Sequence, residues 1–161
     1  MKEYELELSQ DSIMKGIEIL KQTKLKLARI KSKLLNAYAD FAIQQMKMYV
    51  PIDTGELASS FKKSQVLKDV IEVYTNKEYA AFVEFGTGIV GEKSPRTYNA
   101  NIQWTYDRNQ HGESGWVYYI GGEKHWTKGQ VASEYMYKAL QDLDASYQLI
   151  AQKVFEEEGL V

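Results

Sequence analysis

The sequence predicts an α+β fold in which a small antiparallel sheet packs against long N-terminal and C-terminal helices. Three observations carry that prediction. Apolar residues recur at helical spacing over 11–50 and again over 131–158, residues 51–125 hold short alternating segments punctuated by glycine, and no repeat or linker divides the 161 residues. A chain of this length makes one domain, 1–161, with a real core, and is short for two enzymatic lobes.

Each element follows from local chemistry. Ile13, Ile17, Leu20, Leu27, Ile30, Leu34, Tyr38, Phe41 and Met48 recur at steps of three, four or seven, which is one long amphipathic helix or two in series. Asp11 or Ser12 is placed to accept its first free amide hydrogens, and Pro51 ends it by pushing the preceding residue out of the helical region. Asp53 and Glu56 form a capping signature for a short helix reaching about Phe61. Residues 65–67 and 70–75 read as a β-hairpin turning at Lys68 and Asp69. Residues 79–85 are apolar nearly all round, a buried turn of helix or a buried strand that Gly86, Thr87 and Gly88 stop. Residues 86–115 are polar, Gly-rich and long for a connection, so they are a functional loop or hold a hairpin of their own. Ile102, Trp104 and Tyr106 alternate with polar residues and can pair with Trp116, Tyr118 and Ile120 across a turn at 109–112, leaving Gly121 and Gly122 as the exit. Ala132, Met136, Ala139, Leu140, Leu143, Tyr147, Ile150 and Val154 then make the apolar stripe of the last helix.

Composition narrows the function. Apolar residues at 44% and charged residues at 26% are globular values, and a net charge of −2 argues against coating nucleic acid with the whole surface. The absence of cysteine removes thiolate catalysis, disulfide scaffolds and Cys-based zinc sites together. The first residues, Met1 to Glu5, are acidic and lack the apolar core of a signal peptide, and no stretch approaches the roughly 20 apolar residues of a membrane-spanning helix. No Walker, dinucleotide or Gly-x-Ser-x-Gly pattern is present. His111 and His125, with Asp107, Glu113 and Glu123 nearby, show no zinc-motif spacing and read as solvent-facing, so no metal or cofactor is expected. Asp53, Thr54 and Gly55 are the triplet of aspartic proteases, in which two carboxylates from a dimer share a proton and activate water. A long helix before the triplet and a capping pattern after it favour helix architecture instead, and Asp53→Asn with a peptide-cleavage assay separates the two readings.

Charge is unevenly placed. Lys15, Lys21, Lys24, Lys26, Arg29, Lys31 and Lys33 stand against Glu18 alone, a local sum of +6, whereas 131–161 sums to −4. These are solvated helix faces, or opposite patches that join subunits head to tail into a ring, or a basic face that binds DNA phosphates without reading bases. Tyr and Trp gathered over 98–126 suit a surface that becomes an interface or the core of a sheet.

Three segments in order, Pro51-Ile52-Asp53-Thr54-Gly55-Glu56-Leu57 with Ser60, Tyr79-Ala80-Ala81-Phe82-Val83-Glu84-Phe85-Gly86-Thr87-Gly88, and Trp126-Thr127-Lys128-Gly129 before a helix, resemble the head-tail joining or tail completion proteins of long-tailed bacteriophages. The resemblance runs from about Tyr38 to Leu143; residues 89–115 are long for the pattern, and Gln130 to Glu134 replace its proline-containing stretch before the last helix. It implies a structural protein without cofactor or membrane contact, assembled in the host cytoplasm into a virion, forming a ring with itself and touching neck, connector and tail proteins. It also implies that Asp53, Thr54, Gly55, Glu56, Glu84, Phe85, Gly86, Thr87 and Gly88 are architectural. Within that expectation Lys26, Arg29 and Lys33 are the candidates for facing DNA in the lumen, and Tyr98, Trp104 and Tyr106 mark the candidate partner loop.

Overall fold

Helix α1 (Gln10–Tyr49) runs for 40 residues as one uninterrupted rod. Its N-cap is Ser9, two or three residues earlier than the expected Asp11 or Ser12: the Ser9 hydroxyl accepts the Ser12 amide while the Ser12 hydroxyl accepts the Ser9 amide, a reciprocal box that satisfies two otherwise free donors. Val50, extended before Pro51, closes the other end. The computed structural model of the chain describes residues 9–67, 69–98, 101–107 and 109–160. The acidic start at Met1 to Glu5 and the Lys68 half of the expected turn lie outside them.

A short helix α2 (Glu56–Ser60) leads into the hairpin of β1 (Lys62–Leu67) and β2 (Val70–Tyr74), antiparallel with a bulge between Gln65 and Leu67. Along β2 exposure alternates with half-burial, as it must when one face of a ribbon rests on a helix. Residues 79–85, left open between helix and strand, are a helix, α3 (Ala80–Phe85), and α4 (Gly88–Lys93) follows it at once. A turn of 3-10 helix (Gly112–Ser114) precedes β3 (Trp116–Ile120) and β4 (Glu123–Thr127), and α5 (Tyr135–Glu157) completes the chain.

The class is α+β as expected, but among the described residues the strands form two separate two-stranded ribbons rather than one sheet. The expected pairing of 102–106 with β3 does not form. Gly121 and Gly122 both sit at positive φ, 58° and 88°, the conformation that a two-residue hairpin turn demands, so they join β3 to β4 instead of leading out of a hairpin.

The core lies where the second half of α1 meets α2, α3 and the start of α5: Met46, Val50, Leu57, Phe61, Ala80, Tyr135 and Ala139, with Phe61 and Tyr135 rings 5.4 Å apart. Helix α5 lies antiparallel along α1, pinned by the Tyr49 hydroxyl donating to Asp142 Oδ2 at 2.7 Å, the Tyr38 hydroxyl donating to the Tyr147 carbonyl at 3.2 Å, and Arg29 and Lys33 at Glu158. The buried line of α5 is Tyr135, Ala139 and Val154, which leaves Met136, Leu140 and Tyr147 of the expected stripe exposed. The first 19 residues of α1, 10–28, extend past the end of α5 by about 28 Å.

Candidate functional site

Two regions concentrate what the fold has not used for its core, and the first is a clasp around Glu84. That residue is only 1% exposed, an extreme for a carboxylate. Helix α5 begins at Glu134 in a left-handed turn with no side-chain cap of its own, and Glu84 supplies one from α3: Oε2 accepts the Met136 amide at 2.8 Å, and Oε1 accepts the Tyr137 amide at 3.3 Å and the Tyr98 hydroxyl. A carboxylate at a helix N-terminus also complements the helix dipole. Burial, and then the bond to Glu84, push the Tyr98 hydroxyl well above its ordinary range, which keeps it a donor.

Residues 96–98 and 101–106 pack over this turn. Glu134 accepts the Thr97 amide and, at 3.0 Å, its hydroxyl; Trp104 Nε1 donates to the Gly86 carbonyl at 2.9 Å; and the Gly88 amide donates to the Tyr106 carbonyl at 2.7 Å. Tyr98 stacks on Tyr137 at 4.0 Å, and Arg96 lies 4.7 Å over the Phe85 ring while donating to the Tyr98 and Ile102 carbonyls. Thr87 and Gln130 exchange backbone hydrogen bonds of 2.9 and 3.1 Å, tying the turn to the stretch before α5. The crossing is so close that a Cβ on Gly129 would stand 1.9 Å from the Thr87 carbonyl oxygen, and one on Gly88 2.3 Å from that of Lys128. Glu84, Phe85, Gly86, Thr87 and Gly88 therefore form one knot. The three aromatics expected in a partner loop are part of it: Tyr98 and Trp104 direct their polar tips inward, and Tyr106 lines the adjoining cleft.

That cleft, of about 640 Å³, brings Asp53, Thr54, Gly55 and Glu56 opposite Thr87, Tyr106, Asp107, His111 and Trp116. The expected cap of α2 by Asp53 and Glu56 does not form. Gly55 at φ 76° is the N-cap, which leaves Asp53 a position too early to reach the helix amides; the Thr54 hydroxyl accepts the Glu56 amide at 3.3 Å, and Glu56 pairs with Lys77 at 2.7 Å. The Lys77 ammonium holds the Glu56 carboxyl below its ordinary range. Asp53 is exposed on the rim. Asp107 accepts the His111 amide at 2.8 Å and the Gly112 amide at 2.6 Å, and these bonds, that from Gly112 foremost, hold its carboxyl below the usual range, a turn-forming rather than proton-sharing use. His111 stacks on Trp116 and His125 on Tyr118, both at 5.4 Å; among the described residues no group of three His, Asp or Glu is placed to hold a metal ion.

The second region is surface. Along the first half of α1, Ile13, Met14, Ile17, Leu20, Leu25 and Leu27 are all exposed, Leu20 at 70%. Lys26 lies on this arm with no ion pair among the described residues, whereas Arg29 and Lys33 both pair with Glu158, whose carboxyl is held low first by Lys33 and then by Arg29. Part of the charge complementarity between the terminal helices is thus satisfied inside the subunit. On the outer face of the β3–β4 ribbon Tyr119 and Trp126 are exposed; Tyr119 was not singled out from the sequence, and strand alternation about the Gly121-Gly122 turn is the signal that sets it beside Trp126.

Residues 11–86, covering most of α1 through α3 and the Glu84 turn, match the model of the HK97-gp10-like family, described as "Bacteriophage HK97-gp10, putative tail-component". Over that stretch, just under half of the chain, the sequence is similar to a phage tail component. The match includes both the exposed arm and Glu84 itself. Neither a curated protein nor a solved structure matches the chain significantly. Among the described residues no helix is long and apolar enough to cross a membrane.

Proposed function

We propose that this chain is a virion-assembly subunit that closes into a ring at the head-tail junction or at the head-proximal end of the tail, and that its action is binding alone. The observation that carries the reading is the arm of α1: Ile13, Ile17, Leu20 and Leu27 are exposed along one face of a helix that is similar in sequence to a phage tail component, a surface that water does not favour and a neighbouring protein can cover. The Glu84 clasp holds α3, the residues packed over the turn and α5 as one rigid wedge from which the arm projects. Neck, connector and tail proteins are the partners, reached through the arm and the exposed Tyr119 and Trp126. Of the three basic candidates, Arg29 and Lys33 are engaged by Glu158, and Lys26 is left to face DNA in the lumen, with contacts to phosphate rather than to bases. Assembly takes place in the host cytoplasm, and the finished location is the virion.

Electron microscopy of lysate from the parent phage with an early stop codon in this gene tests the proposal by counting free heads, free tails and joined particles. Unjoined heads and tails are expected for a joining role and tails of abnormal length for a terminating one. Normal, infectious particles would refute both.

A further inference from the structure

The arm and the exposed face of α5 fit each other, though they cannot meet within one chain. Ile13, Leu20 and Leu27 fall seven residues apart, with Ile17 and Lys24 between them at the alternate seam positions, the spacing with which one helix packs along another. On α5, Met136, Leu140 and Tyr147 form a second exposed stripe, Leu140 at 57%. From Ile13 to Leu27 the arm's stripe runs about 21 Å and from Met136 to Tyr147 that of α5 about 17 Å, so most of the arm's stripe has apolar surface to lie against.

Charge decides which surface the arm takes. Residues 10–28 carry four lysines against Asp11 and Glu18, a sum of +2, so two arms side by side would repel, with Lys24 inside the seam. Helix α5 carries Lys138 and Lys153 against Asp142, Asp144, Glu156 and Glu157, a sum of −2, and Asp144 flanks its stripe where Lys21 flanks that of the arm. The chain's own α5 is out of reach, because its end is fixed by Glu158 at Arg29 and Lys33, where the arm begins.

We propose that the arm of α1 docks in the exposed Met136–Leu140–Tyr147 face of α5 of a second copy of this chain. The proposal rests on the ring reading and names the contact that would close the ring. The two surfaces differ, so the contact is heterologous: every subunit offers an arm and a groove, and copies add head to tail until rotation closes them. Lys15 and Lys26 stay on the opposite side of the arm, free for the lumen.

Because the chain contains no cysteine, Leu20→Cys and Leu140→Cys can be introduced singly and together without competing thiols. Within one chain these positions lie on opposite sides of the Arg29–Glu158 contact, and a disulfide between them must join two copies. Under mild oxidation of the purified full-length protein, the double variant should give a ladder of linked multimers. An equimolar mixture of the single variants should give linked dimer at least about tenfold above either alone, for a contact with Kd below about 1 mM. Self-linking by Leu20→Cys alone as strong as in the mixture would overturn the α5 groove in favour of paired arms. Sedimentation of the unaltered protein as an oligomer without Leu20–Leu140 linkage would overturn the contact and leave the ring intact. Sedimentation as a monomer at about 1 mM would overturn the proposed self-contact outright, and the stop-codon particle counts then judge the ring reading on their own.

Discussion

The two halves of α1 have the same periodicity and the same helix geometry, yet they do different work. From Ile30 to Met46 the apolar line is covered, with Ile30, Ala39, Ala42 and Met46 buried under α5, α2 and the β1–β2 ribbon, whereas Met48 of the expected stripe faces out, 74% exposed. From Gln10 to Arg29 none of the apolar side chains is buried. Periodicity specifies a helix in both halves, but what covers the stripe depends on where α5 stops, and α5 stops where Glu158 meets Arg29 and Lys33. The covered half stabilises the subunit. Under the proposed assembly the uncovered half gains its stabilisation from another chain, since an isolated helix of this length is marginal in water and gains from burial of its apolar face.

If that division is right, substitutions in the body should cost folding and substitutions in the arm should cost association. The largest effect is expected at Glu84. Glu84→Ala removes the acceptor for two amides of α5 and the Tyr98 hydroxyl, leaving buried donors unsatisfied, and should lower stability by about 3–5 kcal/mol in urea unfolding. Gly129→Ala comes next, because its Cβ must displace the Thr87 carbonyl and its φ of 106° disfavours any side chain; a loss of about 2–3 kcal/mol is expected by the same measurement. On the arm, Leu20→Glu should shift the urea midpoint by no more than about 0.5 kcal/mol equivalent while abolishing association seen by sedimentation. A loss of stability at Leu20 comparable to that at Glu84 would erase the distinction between the halves.

The smallest effect sits at their boundary. Lys33 and Arg29 hold the Glu158 carboxyl below its ordinary value of 4.5, so the stability it contributes is complete above that value and is lost as pH falls through the lower folded-state value. Glu158→Gln should therefore be slightly less stable than the parent at pH 7, and the gap should close on acidification below 4.5. Paired unfolding curves at neutral and acid pH check the sign, and a gap that widens in acid contradicts the contact. Salt should narrow it as well, since Arg29 and Lys33 remain largely in solvent.

The sequence made the helices legible because their signal is long and redundant: 40 residues of recurring apolar positions survive any single exception, and Pro51 is an unambiguous stop. The β1–β2 hairpin was legible from alternation. The region 86–127 was harder because two hairpins were compatible with its aromatics, and the choice turned on Gly121 and Gly122 at positive φ, a backbone property that composition only permits. The Glu84 to Gly88 motif was visible as a unit, but its chemistry was not: capping an amide in one helix from a carboxylate in another, 52 residues apart for Glu84 and Met136, leaves no local spacing to read. Asp53 and Glu56 illustrate the converse, a local capping pattern present in the letters and set aside once Gly55 turned the chain. Tyr98 and Trp104, named as marks of a partner loop, donate to the Glu84 carboxylate and the Gly86 carbonyl, acceptors that only the fold supplies.

The central claim is that the arm of a folded subunit is an assembly surface, and the most direct measurement is a particle count by electron microscopy from phage carrying Leu20→Glu, with the amount of folded subunit measured in the same lysate. The account predicts parental levels of folded protein together with unjoined heads and tails or tails of abnormal length. Normal, infectious particles at parental yield would contradict it.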